Sequence, residues 1–145
     1  MIGLLQRVSG ASVSVDGETI GEIGRGLMVL VAVHRDDEER DVARLAERIL
    51  TYRVFPDAED RMNRSLLDEN YGLLLVPQFT LAADTKKGTR ASFTRAAPPE
   101  KGAQYFERLV EACGKQLETV ETGRFGANMQ VSLTNDGPVT FWLET

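Results

Sequence analysis

The sequence predicts a single domain of the α/β class, and three observations carry that reading. Gly26 to Val33 ("GLMVLVAV") and Gly72 to Leu81 ("GLLLVPQFTL") are apolar runs of the kind buried inside a sheet. Each leads, after an intervening segment, into apolar residues at helical spacing. Runs of alternating polarity open and close the chain. The expected order is therefore two strands, two strand–helix units and terminal strands.

The elements follow in sequence. Ile2 to Val8 and Ala11 to Val15 alternate as strands, and Asp16-Gly17 turns the chain into Glu18 to Ile23, a strong hairpin signal. After the first buried strand, "RDDEERDVARLAERILTYR" sets Val42, Leu45, Ala46 and Ile49 on one helical face, with Asp36 and Glu39 as a capping pair. A polar stretch from Pro56 to Tyr71 precedes the second buried strand, where Pro77 marks an edge or the end of regular pairing. Ala82 to Pro99 has no clear periodicity, and a connection of that length in a compact domain is a candidate site loop. A second helix is expected over Glu100 to Glu118, buried through Phe106, Leu109, Val110, Cys113 and Leu117. Finally "ANMQVSLT" and "PVTFWLE" alternate like an antiparallel pair. The Asn135-Asp136-Gly137 between them would already make a tight turn, so Pro138 needs another explanation. It removes an N–H, leaves carbonyls and permits a cis bond.

A chain of 145 residues forms one domain, residues 1–145, and buries roughly 68–70% of the surface its unfolded form exposes. With 42% hydrophobic and 27% charged residues it reads as an ordinary globular protein. A net charge of −5 argues against broad coating of a nucleic-acid backbone and leaves room only for a local basic patch. One cysteine and one histidine cannot make a disulfide within the chain or a multi-ligand Cys/His metal site. No cofactor and no metal is expected. No run approaches the ~20 apolar residues of a membrane span, and "MIGLLQRV" lacks a positively charged lead, so the expected location is the cytoplasm.

Most candidate residues have structural explanations. His34 lies at a strand end without a Ser-His-Asp arrangement around it. Cys113 shares a helical face with Phe106 and Val110, as a buried apolar residue does. The acidic run Asp36 to Glu39 suits the positive end of a helix. Lys86, Lys87, Arg90 and Arg95 differ, being concentrated in the long loop of an acidic chain. They form either a solvated loop or a phosphate-binding patch, and the sequence favours neither. Gln78 and Thr80 end a buried strand, where polar groups either line sites or cap loose backbone.

Four stretches, "QRV" (Gln6 to Val8), "QFTLAAD" (Gln78 to Asp84), "TGRFGANMQVSL" (Thr122 to Leu133) and "NDGPVTFWL" (Asn135 to Leu143), together resemble the bacterial D-aminoacyl-tRNA deacylases. The resemblance runs nearly end to end. It implies sheets with two helices in a layered α/β/β arrangement, and a homodimer that hydrolyses the ester joining a D-amino acid to the terminal adenosine of tRNA. It carries mischarged glycyl-tRNA as a further substrate. By the same resemblance Gly137-Pro138 is a Gly-cisPro motif that enters the partner's site, and two carbonyls aimed the same way would clamp an α-ammonium while an L-substituent collides. Arg7 would hold that dipeptide and Gln6 would share the substrate-binding set. Gln78, Phe79 and Thr80 would face the ester, with the Phe79 N–H stabilising the oxyanion and the ribose 2′-hydroxyl assisting attack. Lys86, Lys87 and Arg90 would contact tRNA.

Two positions depart from the family pattern: Pro77 replaces its usual serine, and Ala91 replaces a proline in the loop. The first loses a hydroxyl contact and the second a fixed φ. Two other readings stay open. One is a non-catalytic dimeric module that binds a nucleotide or nucleic-acid end, because no protein nucleophile–base pair is evident. The other is a hydrolase with Thr80 as covalent nucleophile.

Overall fold

Strand β1 (Ile2–Val15) runs without interruption for 14 residues and organises the whole sheet. The computed structural model describes all 145 residues. Along one edge, β1 pairs antiparallel with β2 (Glu18–Ile23) through its C-terminal half and with β3 (Gly26–Ala32) through its N-terminal half. Along the other edge it pairs with the last strand, β8 (Gln130–Glu144), over nearly its full length. The chain passes from β3 through helix α1 (Glu39–Thr51), a small hairpin of β4 (Phe55–Pro56) and β5 (Met62–Arg64), and a single-turn helix α2 (Leu66–Glu69). It then enters β6 (Gly72–Pro77), parallel to β3, and helix α3 (Pro99–Gly114) connects β6 to the parallel β7 (Val120–Thr122). The two strand–helix units expected from the sequence are thus parallel crossovers, the connection that parallel strands require.

The double-sided apolar character of β3 and β6 has a direct cause. Leu73 and Leu75 face one core with Leu5, Leu45, Ile49, Leu109 and Cys113, against which α1 and α3 pack. Their neighbours Leu74 and Val76 face a second core with Val8, Val13 and Met28. Because successive strand residues point to opposite faces, burial on both sides demands an unbroken apolar run. The sheet also curls back on itself: a Cβ at Gly21 of β2 would lie 2.9 Å from the Thr122 carbonyl of β7. No helix is long and apolar enough to cross a membrane.

Several local expectations hold and several are corrected. The Asp16-Gly17 turn has φ of +51° and +80°, the twist that a two-residue hairpin needs. Ile2–Val8 and Ala11–Val15 join into one strand, since β1 changes partner from β3 to β2 without leaving the sheet. The capping pair is Glu38 and Asp41, not Asp36 and Glu39: the Glu38 N–H donates to the Asp41 carboxylate at 2.8 Å, which holds that carboxyl below its ordinary value. Asp37 turns inward instead, accepting from the Met1 amine at 2.7 Å and from the His34 N–H at 2.6 Å. The polar stretch before β6 contains a third helix, α2, because Ser65 caps it by accepting the Asp68 N–H and buried Leu66 anchors it. Helix α3 ends at Gly114, ahead of the expected Glu118, although Leu117 is buried as foreseen.

The largest correction concerns the C-terminus. "ANMQVSLT" and "PVTFWLE" do not pair with each other. Both belong to β8, and both pair antiparallel with β1, whose long edge accommodates the two halves in line. Asn135-Asp136-Gly137 therefore makes no hairpin. Val8 pairs with Asn135 and Gln6 with Thr140, so residues 136–139 leave the ladder opposite the single residue Arg7. The proline sits in that excursion, where a missing N–H costs no ladder hydrogen bond.

Candidate active site

The end of β6 determines the first group of residues. Pro77 is the last residue in register with β3, and the Gln78 N–H then closes onto the Val31 carbonyl at 2.7 Å. From there the chain tightens into a 3₁₀ turn, Phe79–Ala82, held by Leu81 N–H to Gln78 O and Ala83 N–H to Thr80 O. Phe79 is the first residue of that turn, so its N–H has no acceptor within it. The Gln78 side-chain amide donates to the Thr80 hydroxyl oxygen. Thr80 is exposed, and its one side-chain hydrogen bond is with Gln78, which is no base. We therefore expect Thr80→Ala to retain measurable turnover, and trapping of an aminoacyl adduct on Thr80 would overturn that expectation.

Beside this turn opens a cavity of about 610 Å³, walled by Pro77, Gln78, Phe79, Phe93, Phe125 and Met129 among others. The rings of Phe79 and Phe93 lie 5.1 Å apart. Phe79, Phe93 and Phe125 are three of the five large apolar residues exposed on the molecule, and all three line this one cavity. Its size fits a small organic ligand, and exposed aromatic faces are suited to stacking a base. Sequence reasoning assigned no role to Phe93, Phe125 or Met129. The available signal was aromatic residues in polar, glycine-containing loops, where burial does not explain them.

The second group gathers at the excursion of β8. The Gly137-Pro138 peptide is cis, and both residues are exposed. Gly137 has φ of +147°, and a Cβ there would meet Val139 Cγ2 at 2.7 Å and its nitrogen at 2.8 Å. Arg7 reaches across from β1: its Nε donates to the Asp136 carbonyl at 2.9 Å and its Nη1 to the Val54 carbonyl at 2.7 Å. Gln6 is the ladder partner of Thr140, just past the excursion.

The structure thus brings Gln78, Phe79 and Thr80 together, and separately Gln6, Arg7, Gly137 and Pro138. It does not bring the two groups together within one chain. Arg7 is level with Leu27 while Pro77 is level with Val31, and along the ladders β8 is separated from β6 by β1 and β3; β8 meets the cavity only at its start, through Val131, six residues before Gly137. Four residues along and three strand spacings across amount to roughly 20 Å over the sheet.

Lys86, Lys87 and Arg90 are exposed around Gly88, which has φ of +67°. None is paired with a carboxylate. The neck of their loop is closed by two backbone bonds between Asp84 and Ser92, at 2.8 and 3.0 Å, so Ala91 adjoins a fixed pairing. Cys113 is buried, which pushes its thiol up to about 12 and leaves it without nucleophilic character at neutral pH. His34 Nε2 lies 4.0 Å from the Glu144 carboxylate.

Residues 4–144 match the protein family described as D-Tyr-tRNA(Tyr) deacylase. A D-aminoacyl-tRNA deacylase of Alkalilimnicola ehrlichii is 62% identical over 144 residues, covering 99% of this chain and 96% of that one. One of Escherichia coli O1:K1 is 53% identical and covers 99% of both. Among solved structures, a c-Myc DNA unwinding element binding protein superposes with a TM-score of 0.96 at 38% identity, covering 100% of this chain and 99% of that one. The structure of a probable eukaryotic D-amino acid tRNA deacylase superposes at 0.88 over 99% and 98% of the two chains, with 18% identity, and so speaks for the fold alone. Fold and family together define a hydrolase that acts on the ester of aminoacyl-tRNA. The chain belongs to the D-aminoacyl-tRNA deacylase family.

Proposed function

We propose that this deacylase, a single domain over residues 1–145, releases D-amino acids from tRNA in the cytoplasm as a homodimer. Each site consists of the Gln78–Thr80 turn and cavity of one protomer with Gly137-Pro138 of the other. The observation that carries this is the separation of the two groups on one sheet, together with the exposure of a dipeptide outside every ladder. β8 is an edge strand with Trp142 exposed, and two-fold symmetric dimers are the commonest soluble oligomers.

The chemistry follows from the groups available. The cavity aromatics take the terminal adenine, and Gly137-Pro138 carbonyls accept from the α-ammonium of the substrate. Water adds to the ester carbonyl, the Phe79 N–H stabilises the oxyanion, and the C–O bond to the ribose breaks as its oxygen takes up a proton. The neighbouring 2′-hydroxyl assists, in place of a protein base. Selectivity is by exclusion: an L side chain points into the motif and a D side chain away from it. Glycine has no side chain to exclude, so glycyl-tRNA is also a substrate. Gln6 and Arg7 support the dipeptide.

Hydrolysis of matched D- and L-aminoacyl-tRNA tests the reaction, with D cleaved and L spared; equal cleavage removes the chiral filter. Mixed dimers test the architecture. One protomer carries Gly137→Ala and the other Phe79→Pro, which deletes an N–H at a position where proline suits a helical turn. A shared site leaves one intact combination and about half the activity of wild type, whereas sites within single chains leave none.

Lys86, Lys87 and Arg90 supply local tRNA contacts. Lys86→Ala with Lys87→Ala should weaken tRNA binding, lower the slope of log affinity against log salt by about two, and affect D- and L-substrates alike. An unchanged slope would remove the loop from the interface. The second reading, a nucleic-acid-end binding module without turnover, is favoured by the relative named for DNA-element binding. Absence of any free D-amino acid under saturating charged tRNA would select it.

A further inference from the structure

We infer that Asn135 is a positioning residue that closes the neck of the β8 excursion and fixes the height at which Gly137-Pro138 projects; the inference rests on the clamp reading above. Asn135 and Thr140 are the two ladder residues that flank the excursion, paired with Val8 and Gln6 of β1. The Asn135 side chain spans the gap between them. Its Oδ1 accepts the Val139 N–H at 2.7 Å, and its Nδ2 donates to Thr140 Oγ1 at 2.9 Å and toward the Val139 carbonyl at 3.3 Å.

This side chain suits the position for a chemical reason. A primary amide offers an acceptor and two donors on one rigid plane, so one residue satisfies both an N–H and two oxygens across the neck. Aspartate keeps the acceptor for Val139 N–H but directs negative charge at the Val139 carbonyl. Arg7 works on the opposite shoulder, holding the Asp136 carbonyl. Between them the excursion is fixed at residues 136 and 139, and neither contact uses a polar group of Gly137 or Pro138. Neither residue of the dipeptide has a ladder partner on β1, so we take both carbonyls as available to a ligand. A backbone displaced by about 1 Å at a reacting centre costs on the order of 10²-fold in rate, so fixation at this neck reaches the chemistry without touching substrate.

The test compares Asn135→Ala, Asn135→Asp, Thr140→Val and Gly137→Ala as folded dimers of the full chain. We expect Asn135→Ala to lower kcat on D-aminoacyl-tRNA at least tenfold, leave KM for the charged tRNA within twofold, and reduce the ratio of D to L hydrolysis. Asn135→Asp should fall between it and wild type. Thr140 is exposed, so Thr140→Val keeps the question open to measurement if Asn135→Ala does not fold; it should lower kcat roughly threefold, the loss of one ordinary hydrogen bond, with the same KM. If Gly137→Ala is impaired while Asn135→Ala and Thr140→Val keep the wild-type kcat and D to L ratio, the role of Asn135 is wrong and the clamp stands. Wild-type kinetics in Gly137→Ala would overturn both. A lower melting temperature for Asn135→Ala with unchanged kcat per folded dimer would make it a structural residue only and also overturn the inference.

Discussion

Gly137→Ala should lower hydrolysis of D-aminoacyl-tRNA roughly 10²-fold or more while leaving tRNA affinity nearly intact. The added Cβ would lie 2.7 Å from Val139 Cγ2 and 2.8 Å from Val139 N, with the Arg7 guanidinium 3.4 Å away. Two of those three neighbours belong to the excursion itself, so relief of the clash must move the dipeptide rather than a distant side chain. The φ of +147° at Gly137 adds to the difficulty, because L-residues rarely adopt that region. A displaced excursion no longer presents its carbonyls where an α-ammonium sits, and we expect kcat to fall roughly 10²-fold or more. Lys86, Lys87 and Arg90 lie in a different loop, closed by its own Asp84–Ser92 pairing. Binding of uncharged tRNA should therefore match wild type across a salt series. Single-turnover rates on D-aminoacyl-tRNA, measured alongside that binding, decide the matter. Retention of the full rate would separate the dipeptide from catalysis altogether.

Much of this fold was legible in the sequence because burial imposes periodicity. Leu73, Leu74, Leu75 and Val76 face two cores in alternation, and an apolar run of that kind cannot be read as a half-exposed strand. Val42, Leu45, Ala46 and Ile49 are likewise all buried at helical spacing. What periodicity does not encode is the partner of a strand. The C-terminal runs have hairpin composition at Asn135 to Gly137, yet both halves pair with β1, six residues of the first and five of the second. Turn composition proposes a reversal, and the free edge of β1 overrides it. The same limit applies to the candidate site. Gln78 and Thr80 could be picked out as polar residues ending a buried strand, and Gly137-Pro138 as a proline without a role in turning. Phe93 and Phe125 stood out only as aromatics in polar loops, and their shared cavity was not legible, since it depends on two loops more than thirty positions apart folding to one place.

Arg7 provides the complementary test, because its two strong contacts separate anchoring from charge. The side chain is only 14% exposed, and its Nε and Nη1 serve the carbonyls of Asp136 and Val54 together. Arg7→Ala removes both donors. Val54 is fully buried, and an unpaired carbonyl in such surroundings costs about 1–3 kcal/mol, which for a domain of this size lowers Tm by several degrees. The excursion meanwhile loses its anchor at Asp136, and we expect kcat on D-aminoacyl-tRNA to fall roughly 10²-fold. Arg7→Lys distinguishes the causes. Lysine restores the positive charge near the Asp136 carboxylate, but a single ammonium on a flexible stem does not hold two carbonyls in the fixed geometry of a guanidinium fork. It should recover part of the lost Tm and little of the lost kcat, with the D to L ratio still depressed. Full recovery of rate and chiral ratio by lysine would mean that a cation near the excursion suffices, and the fork would then have no part in holding Gly137-Pro138 in place.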